Sequence, residues 1–359
     1  MAETVVRKEN HALRSVTAVL MLFIAIVHYD SFMEIDGASV HLIVKNIGRF
    51  AIPVFFLISG YYCYSKDGHA ESNIKKKAKH IFYLIVYYKV FYLIFSGAFC
   101  IAGIITPGDV LHEFLTFTPE ITVDTYAGPH AMSYTQSLWF LYALLLMYIF
   151  WFLLYHFKID FKWSWLLAGP VLIACLLMGE FLPMAGVNEI NGVNVIDIIA
   201  HNMYPLVAIP FFIIGYFLHK HKEWFDRSFT NRDIWLILFV GAALMCVEAT
   251  IVWNSKTIYF GSLVVAVFLF YATFRVPEDR GRIPFLEYMG RCMTPWMYVY
   301  FGATTFLIRF WMQPYCDNYI LCECVGPFLG LALDVLLAFI TAKVIERMSE
   351  KKRSSAAAS

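Results

Sequence analysis

The chain is a succession of long apolar runs separated by short basic stretches. Peptide groups find no water inside a bilayer, so runs of this kind fold as helices that bond internally. A helix needs about 20 apolar residues to cross. Ten candidate spans fall at about 15–33, 46–64, 80–104, 138–156, 163–183, 200–218, 233–253, 257–275, 292–311 and 325–346. The runs are continuous and do not alternate, which argues against an outer-membrane barrel. Composition points the same way. Hydrophobic residues make up 60% of the chain and charged residues 15%, against about 25% charged in a soluble domain. The apolar fraction is too high for disorder. The 28 basic and 27 acidic residues nearly cancel, so no field of one sign exists to grip nucleic acid. The sequence predicts an all-α integral membrane protein, a bundle of about ten transmembrane helices. Residues 1–353 read as one transmembrane domain and 354–359 as a tail.

Basic residues set the orientation. With the N-terminus inside, 23 of the 28 Lys and Arg residues fall on the inner side, in the two ends and the inner loops. Lys45, Arg49, Lys89, Lys256 and Arg309 are the exceptions. An even number of spans then puts both termini in the cytoplasm of a multi-pass inner-membrane protein. The longest outer loop runs from Thr106 to Ser137 and is acidic. A loop of that length is either a cap over an outward-facing site or an idle surface loop. The first run has a basic lead, like a signal peptide, but its apolar core is too long for one.

Charged groups inside a span are costly and mark function. The first span carries Arg14 and His28, fourteen steps apart. At about 100° per step they share one helical face, about 21 Å apart along the axis. A guanidinium at the inner mouth binds phosphate through its planar fork. An imidazole deeper in the membrane titrates near neutral pH and serves as a general base. The competing reading is a snorkelling arginine with a structural histidine. The second span opens Arg49 to Tyr61, with Pro53 expected to free a carbonyl inside the span and Ser59-Gly60 to admit another backbone. Glu248 in the seventh span either orients His28, holds a substrate hydroxyl, or pairs with Lys89. Trp139 and Tyr142 open the fourth span, as site residues or as an interfacial belt.

Other chemistry is weak. There is no Walker-type phosphate loop and no His-Glu-x-x-His metal motif,. No internal repeat links the two halves, which disfavours an inverted-repeat transporter. Of the eight cysteines, Cys316, Cys322 and Cys324 share the last outer loop without a histidine. A disulfide there, joining Cys316 to one of the other two, is open; a zinc site is disfavoured.

Four stretches resemble the membrane acyltransferase-3 family, integral-membrane O- or N-acyltransferases of about ten spans. They are the Arg14-to-His28 helix, the Arg49–Tyr61 segment with its P-x-F-F-x-x-S-G pattern, Leu138-Trp139-Phe140-Leu141-Tyr142, and Pro210 to Tyr216. Each is weak alone; their order and spacing carry the resemblance. This chain departs from the family in two places. Thirteen residues separate Arg14 from His28 where relatives have ten, and Tyr300 stands where relatives often have histidine.

The resemblance implies an enzyme that moves an acyl group, most simply acetyl, from cytoplasmic acyl-CoA to a hydroxyl or amine of an envelope glycan, glycolipid or similar acceptor. It implies His28 and Glu248 as catalytic residues. Arg14, Lys75, Lys76, Ser59 and Gly60 would meet the donor, and Arg49, Trp139, Tyr142 and Tyr300 the acceptor. Acyl-CoA is the expected donor substrate, with no metal. Membrane lipids and the acceptor are the expected partners, with a homodimer left open and nucleic acid excluded. The alternative is a carrier without chemistry for a small polar solute or amino acid. Acyl-CoA binding separates the two.

Overall fold

The computed structural model describes residues 10–28, 48–64, 70–115, 135–159, 164–195, 198, 202, 204–251, 258–277, 282–312 and 325–358. The helices are α1 His11–His28, α2 Ala51–Tyr61, α3 Ala70–Ile101, α4 Pro107–Leu115, α5 Thr135–His156, α6 Ser164–Leu176, α7 Ile209–Lys220, α8 Lys222–Ser228, α9 Asn231–Ile251, α10 Phe260–Thr273, α11 Pro284–Tyr288, α12 Thr294–Met312 and α13 Gly326–Ala358. Among the described residues five segments are long and apolar enough to cross a membrane: 71–101, 138–156, 166–184, 231–251 and 326–351. Shorter apolar helices cover 11–25, 51–61, 204–220 and 260–273. Many large apolar side chains on the long helices are exposed, as a lipid-facing surface requires: Ile94, Phe239 and Phe328 are about 70% open.

Three π-helical turns interrupt the ladder, at Leu177–Phe181, Tyr204–Ala208 and Met289–Met293. Each lies just upstream of a proline, although Pro170 inside α6 is accommodated without such a turn. A proline ring clashes with the carbonyl four residues earlier and offers no N–H to it. The carbonyls four before Pro183, Pro210 and Pro295 belong to residues 179, 206 and 291, one inside each π turn. Pro53, by contrast, does not break its helix as the sequence reading expected. It is the third residue of α2, within the first turn, where the N–H has no helical partner to lose,.

Other boundaries also move. Helix α3 begins at Ala70 and carries the Lys75–Lys79 cluster on helix, where the sequence reading put it in a loop. Part of the Thr106–Ser137 loop is the helix α4, and residues 116–134 lie outside the described residues. So do Cys316, Cys322 and Cys324. The only strand pair among the described residues is a hairpin, Glu189–Ile190 with Val193–Asn194. Its two-residue turn is Asn191-Gly192, both at positive φ (52° and 78°), as the favoured hairpin turn demands.

The chain divides into two compact units, residues 1–33 with 269–359, and residues 34–268. In the second unit α2 packs on α7. A Cβ on Gly60 would overlap the carbonyl of Phe212, and a Cβ on Gly215 would overlap that of Leu57. The crossing is backbone on backbone and tolerates only glycine. Aromatic rings close around it: Phe56 meets Phe140 at 4.8 Å and Trp139 at 6.2 Å, and Trp151 meets Phe212 at 5.0 Å and Tyr216 at 5.2 Å. Helices α9 and α10 approach in the same way at Gly261, which lies against the backbone of Gly241 and Met245. In the first unit α12 and α13 form the main helix pair, and α1 packs on α11, α12 and the π turn between them. There Gly290 lies against the backbone of Arg14 and Ala18.

Forcing a methyl group into such a crossing costs about 1–3 kcal/mol. Gly60→Ala and Gly215→Ala should each lower the thermal midpoint of the detergent-purified protein. Gly97→Ala, where a Cβ meets nothing within 4 Å, should not. Equal midpoints for all three would refute the crossing.

Candidate functional site

In the first unit, α1 turns one face inward. Between Arg14 and His28 the same face holds Ala18, Met21 and Ala25, all at most 1% exposed. The two residues singled out from the sequence therefore bracket a buried stripe. The side chain of His28 lies outside the described residues; its backbone closes α1.

Arg14 stands at the N-terminal end of that stripe in a cluster of basic groups on one carboxylate. Glu287 of α11 is buried and takes three partners. His11 Nδ1 lies 2.9 Å from its Oε1 and Arg14 Nη1 3.3 Å from the same oxygen, while Arg282 Nε donates to Oε2 at 3.0 Å. Arg291 in the adjoining π turn adds a fourth basic group that acts on both Arg14 and Glu287. Three guanidinium groups thus gather at Glu287, and Arg291 also acts on Glu346, which pairs with Lys343, so cations exceed carboxylates by two. Burial pushes the Glu287 carboxyl up, but His11 and Arg282 outweigh it and hold it below the usual carboxylate range. The start of α1 is fixed independently: Asn10 accepts from the Leu13 N–H at 2.8 Å, as an N-cap does, and donates to the carbonyl of Thr273 at 3.2 Å.

Sequence reasoning missed Glu287. Its signal is that it is the one acid between Arg282 and Arg291, set in the apolar stretch Ile283–Met289.

Tyr300 also lies in the first unit, where its hydroxyl meets that of Thr341 at 2.9 Å across α12 and α13. Asp334 of α13 is wholly buried, and neither of its carboxylate oxygens has a hydrogen-bond partner among the described residues.

The second unit holds the other residues named from the sequence. Glu248 is buried in α9 and accepts from the Gly261 N–H at 2.8 Å. Glu180, from the π turn after α6, accepts from the neighbouring Phe260 N–H at 2.9 Å and hydrogen-bonds Glu248. The pair satisfies the unbonded N–H groups at the start of α10. Glu248 therefore has a structural occupation, and its partner is not Lys89. Ser59 donates to the Phe55 carbonyl of its own helix at 2.8 Å, and Gly60 is taken up by the crossing with α7. Trp139 and Tyr142 are buried in the aromatic packing, at 2% and 1% exposure. Arg49 is half-buried just before α2.

Lys75 and Lys76 point outward and are exposed, whereas Lys77 is half-buried. Its ammonium lies 5.2 Å from the Tyr62 ring and 5.8 Å from that of Tyr148. At the C-terminal end of α7, His219 stacks on Tyr61 at 4.1 Å and its Nδ1 lies 2.7 Å from the Tyr61 carbonyl. His219 was not a site candidate from sequence, because only the fold brings it beside α2; Lys77 was read only as one of the Lys75–Lys79 cluster expected to meet the donor phosphates. Among the described residues no group of His, Cys, Asp and Glu has the makings of a metal site.

The sequence model of a family described as "Acyltransferase domain", acyltransferase-3, matches residues 10–346, nearly the whole chain. No curated protein and no solved structure matches.

The Glu287 cluster makes a pH prediction. A depressed carboxyl contributes stability that is present above the unfolded-state value, about 4.3, and is lost as pH falls through the folded one. Glu287→Gln should lower the thermal midpoint at neutral pH. The gap to the parent protein should close as the solution is acidified below about pH 4. A gap that persists unchanged at low pH would show that charge at Glu287 does not hold the cluster.

Proposed function

The chain belongs to the acyltransferase-3 family, and from that premise we propose that it moves an acyl group, most simply acetyl, from cytoplasmic acyl-CoA to a hydroxyl or amine of an envelope glycan or glycolipid. The observation that carries this reading is the surplus of guanidinium groups around Glu287, at the inner end of the stripe that His28 closes. A CoA donor presents several phosphates, and planar guanidinium forks match them. Glu287 holds one edge of Arg14 and so fixes the plane of its fork before a ligand arrives. Preorganisation of this kind lowers the entropic cost of binding.

The transfer needs few groups. The acceptor hydroxyl gives its proton to a His28 ring nitrogen as its oxygen attacks the thioester carbonyl. The C–O bond forms, the C–S bond breaks, and the thiolate leaves with the proton that the imidazolium returns. The buried stripe of Ala18, Met21 and Ala25 between Arg14 and His28 offers water no hydrogen bond, which favours exclusion of water from the transfer.

Two substitutions separate binding from chemistry. Arg14→Ala should weaken CoA binding about 10- to 100-fold, the worth of one charge-assisted phosphate contact, and Arg14→Lys should recover only part. His28→Gln should retain CoA binding and lose about 10²- to 10⁴-fold in transfer of label from radioactive acetyl-CoA to envelope material. Unchanged CoA affinity in Arg14→Ala would move the donor to the Lys75–Lys79 end of α3, and a fully active His28→Gln protein would remove the general base.

The same reading puts both termini and α8 in the cytoplasm and the Thr106–Ser137 segment outside. With native cysteines removed, a cysteine at Ser133 should react with an impermeant maleimide on intact cells and one at Ser228 should not. Labelling of Ser228 from outside would invert the topology and put Arg14 on the wrong side for a cytoplasmic donor.

A further inference from the structure

Helix α3 is longer than the hydrocarbon of a bilayer is thick. Its 32 residues span about 48 Å, against about 30 Å of hydrocarbon. The run from Ile81 to Ile101 is apolar but for Lys89 and fills that thickness by itself, at about 31 Å. Residues 70–80 then stand outside the hydrocarbon. Measured back from Ile81, Lys79, Lys76 and Lys75 lie about 3, 8 and 9 Å beyond its edge. The headgroup layer is about 5–8 Å deep on each side, so the three ammonium groups, on flexible stems, reach the level of the lipid phosphates.

One side of α3 continues from that level into the bilayer without a break. At about 100° per residue, Lys75, Lys76, Lys79, Tyr83, Val86 and Val90 fall within about 60° of one line, and all are exposed. The opposite side faces the protein: Ile74, Ile85, Tyr88 and Tyr92 are buried, and α3 packs on α5. Lys77 belongs to that side, over the rings of Tyr62 and Tyr148. The exposed stripe is ordered as a phospholipid is. Cations come first. The Tyr83 ring follows, with the Lys79 ammonium 5.7 Å from its centre, at the depth where interfacial aromatics sit. Aliphatic side chains come last.

The cations of the stripe have no carboxylate. Glu71 is the one acid of α3, and it pairs with His156 at 3.3 Å. Among the described residues no ion pair reaches Lys75, Lys76 or Lys79. Lys79 also stands one turn from both of the others, a like-charge arrangement that costs stability and that a bound anion relieves.

We propose that this face of α3 binds an anionic phospholipid, in the leaflet at which the helix begins, with the phosphate on Lys75, Lys76 and Lys79 and the chains along Val86 and Val90. A soluble anion accounts for the lysines alone. A lipid accounts for the lysines and for the exposed aliphatic face that continues them. An acyl-CoA donor has to bring its thioester into the protein, whereas these three side chains point away from it.

The test titrates the purified full-length protein in detergent with phosphatidylglycerol and, separately, with phosphatidylcholine of the same chains, and counts bound lipids by native mass spectrometry. Because the chains are equal, the ratio of the two affinities reports the headgroup contact. Each lysine should contribute about fivefold to that ratio, which is about 1 kcal/mol per basic group converted at about 1.4 kcal/mol per tenfold. Lys75→Gln/Lys76→Gln/Lys79→Gln should therefore lose about 100-fold of the preference for phosphatidylglycerol. The three positions are exposed and glutamine forms helix about as well as lysine, so the variant keeps the fold. Lys76→Gln should cost about fivefold, and Lys77→Gln, the next lysine but turned inward, less than about twofold. Glycerol 3-phosphate, a phosphate without chains, should not displace the bound lipid. Equal losses in Lys76→Gln and Lys77→Gln would trace the preference to net charge and overturn the proposal. Displacement by glycerol 3-phosphate at equal concentration would leave a soluble-anion site in place of a lipid face. A triple variant with the parent ratio would also overturn it, and a loss of CoA affinity in that variant would give the lysines to the donor.

Discussion

Backbone contact at glycine is the interaction on which the rest depends. In lipid, helices gain little by hiding apolar side chains from one another, because the tails are as apolar as leucine. Association then relies on close packing, and close packing requires places without a Cβ. Gly60 and Gly215 provide them for α2 and α7, Gly261 for α9 and α10, and Gly290 for the approach of the π turn to α1. The last of these sets the site: with Gly290 against the Arg14 backbone, Glu287 and Arg291 lie within reach of the Arg14 side chain.

The apolar runs were legible because hydropathy is a local property. Every helix of more than ten residues in the structure falls in or overlaps a run read from the sequence. The pairing of those helices was not legible, since nothing in a stretch of Phe, Leu and Ile says which neighbour it meets. The segments at Arg49–Tyr61, Leu138–Tyr142 and Pro210–Tyr216 read as separate signatures, two of them with site residues. In the fold they are one packed unit, with Gly60 on Phe212, Gly215 on Leu57, and Phe56 between Trp139 and Phe140. Their strength as signatures is the strength of a steric requirement. The same distinction explains Glu248. A lone acid in an apolar run reads as a candidate for catalysis, and only the arrival of Glu180 and the start of α10 shows its hydrogen bonds already committed.

The prolines show how a local rule becomes a tertiary fact. Pro183 and Pro295 each stand just after a wide turn, and the extra residue in a π turn rotates the helix before it relative to the helix after it. Glu180 and Arg291 occupy two of these turns. The first reaches the start of α10 and the second stands by Arg14. Both were hidden from a reading at about 100° per residue, because that period holds only on either side of the turn.

Within the first unit the charges are sorted by depth. Cations gather at the inner end and outnumber Glu287. Asp334, with no hydrogen-bond partner among the described residues, lies about 10 Å or more deeper along α13,. A donor that carries several negative charges and a reactive acyl end matches that order. On the proposed function, its phosphates would find compensation at the Arg14 end, and its thioester would reach a depth where only neutral or paired groups persist. A carrier of small solutes has no use for so steep a separation, because its substrate must leave from the deep end as readily as it enters at the mouth. Ala18, Met21 and Ala25, buried between the two levels, offer a polar group no stopping place there. The proposed transfer needs none, since only the pantetheine-like link between phosphate and thioester would pass that level.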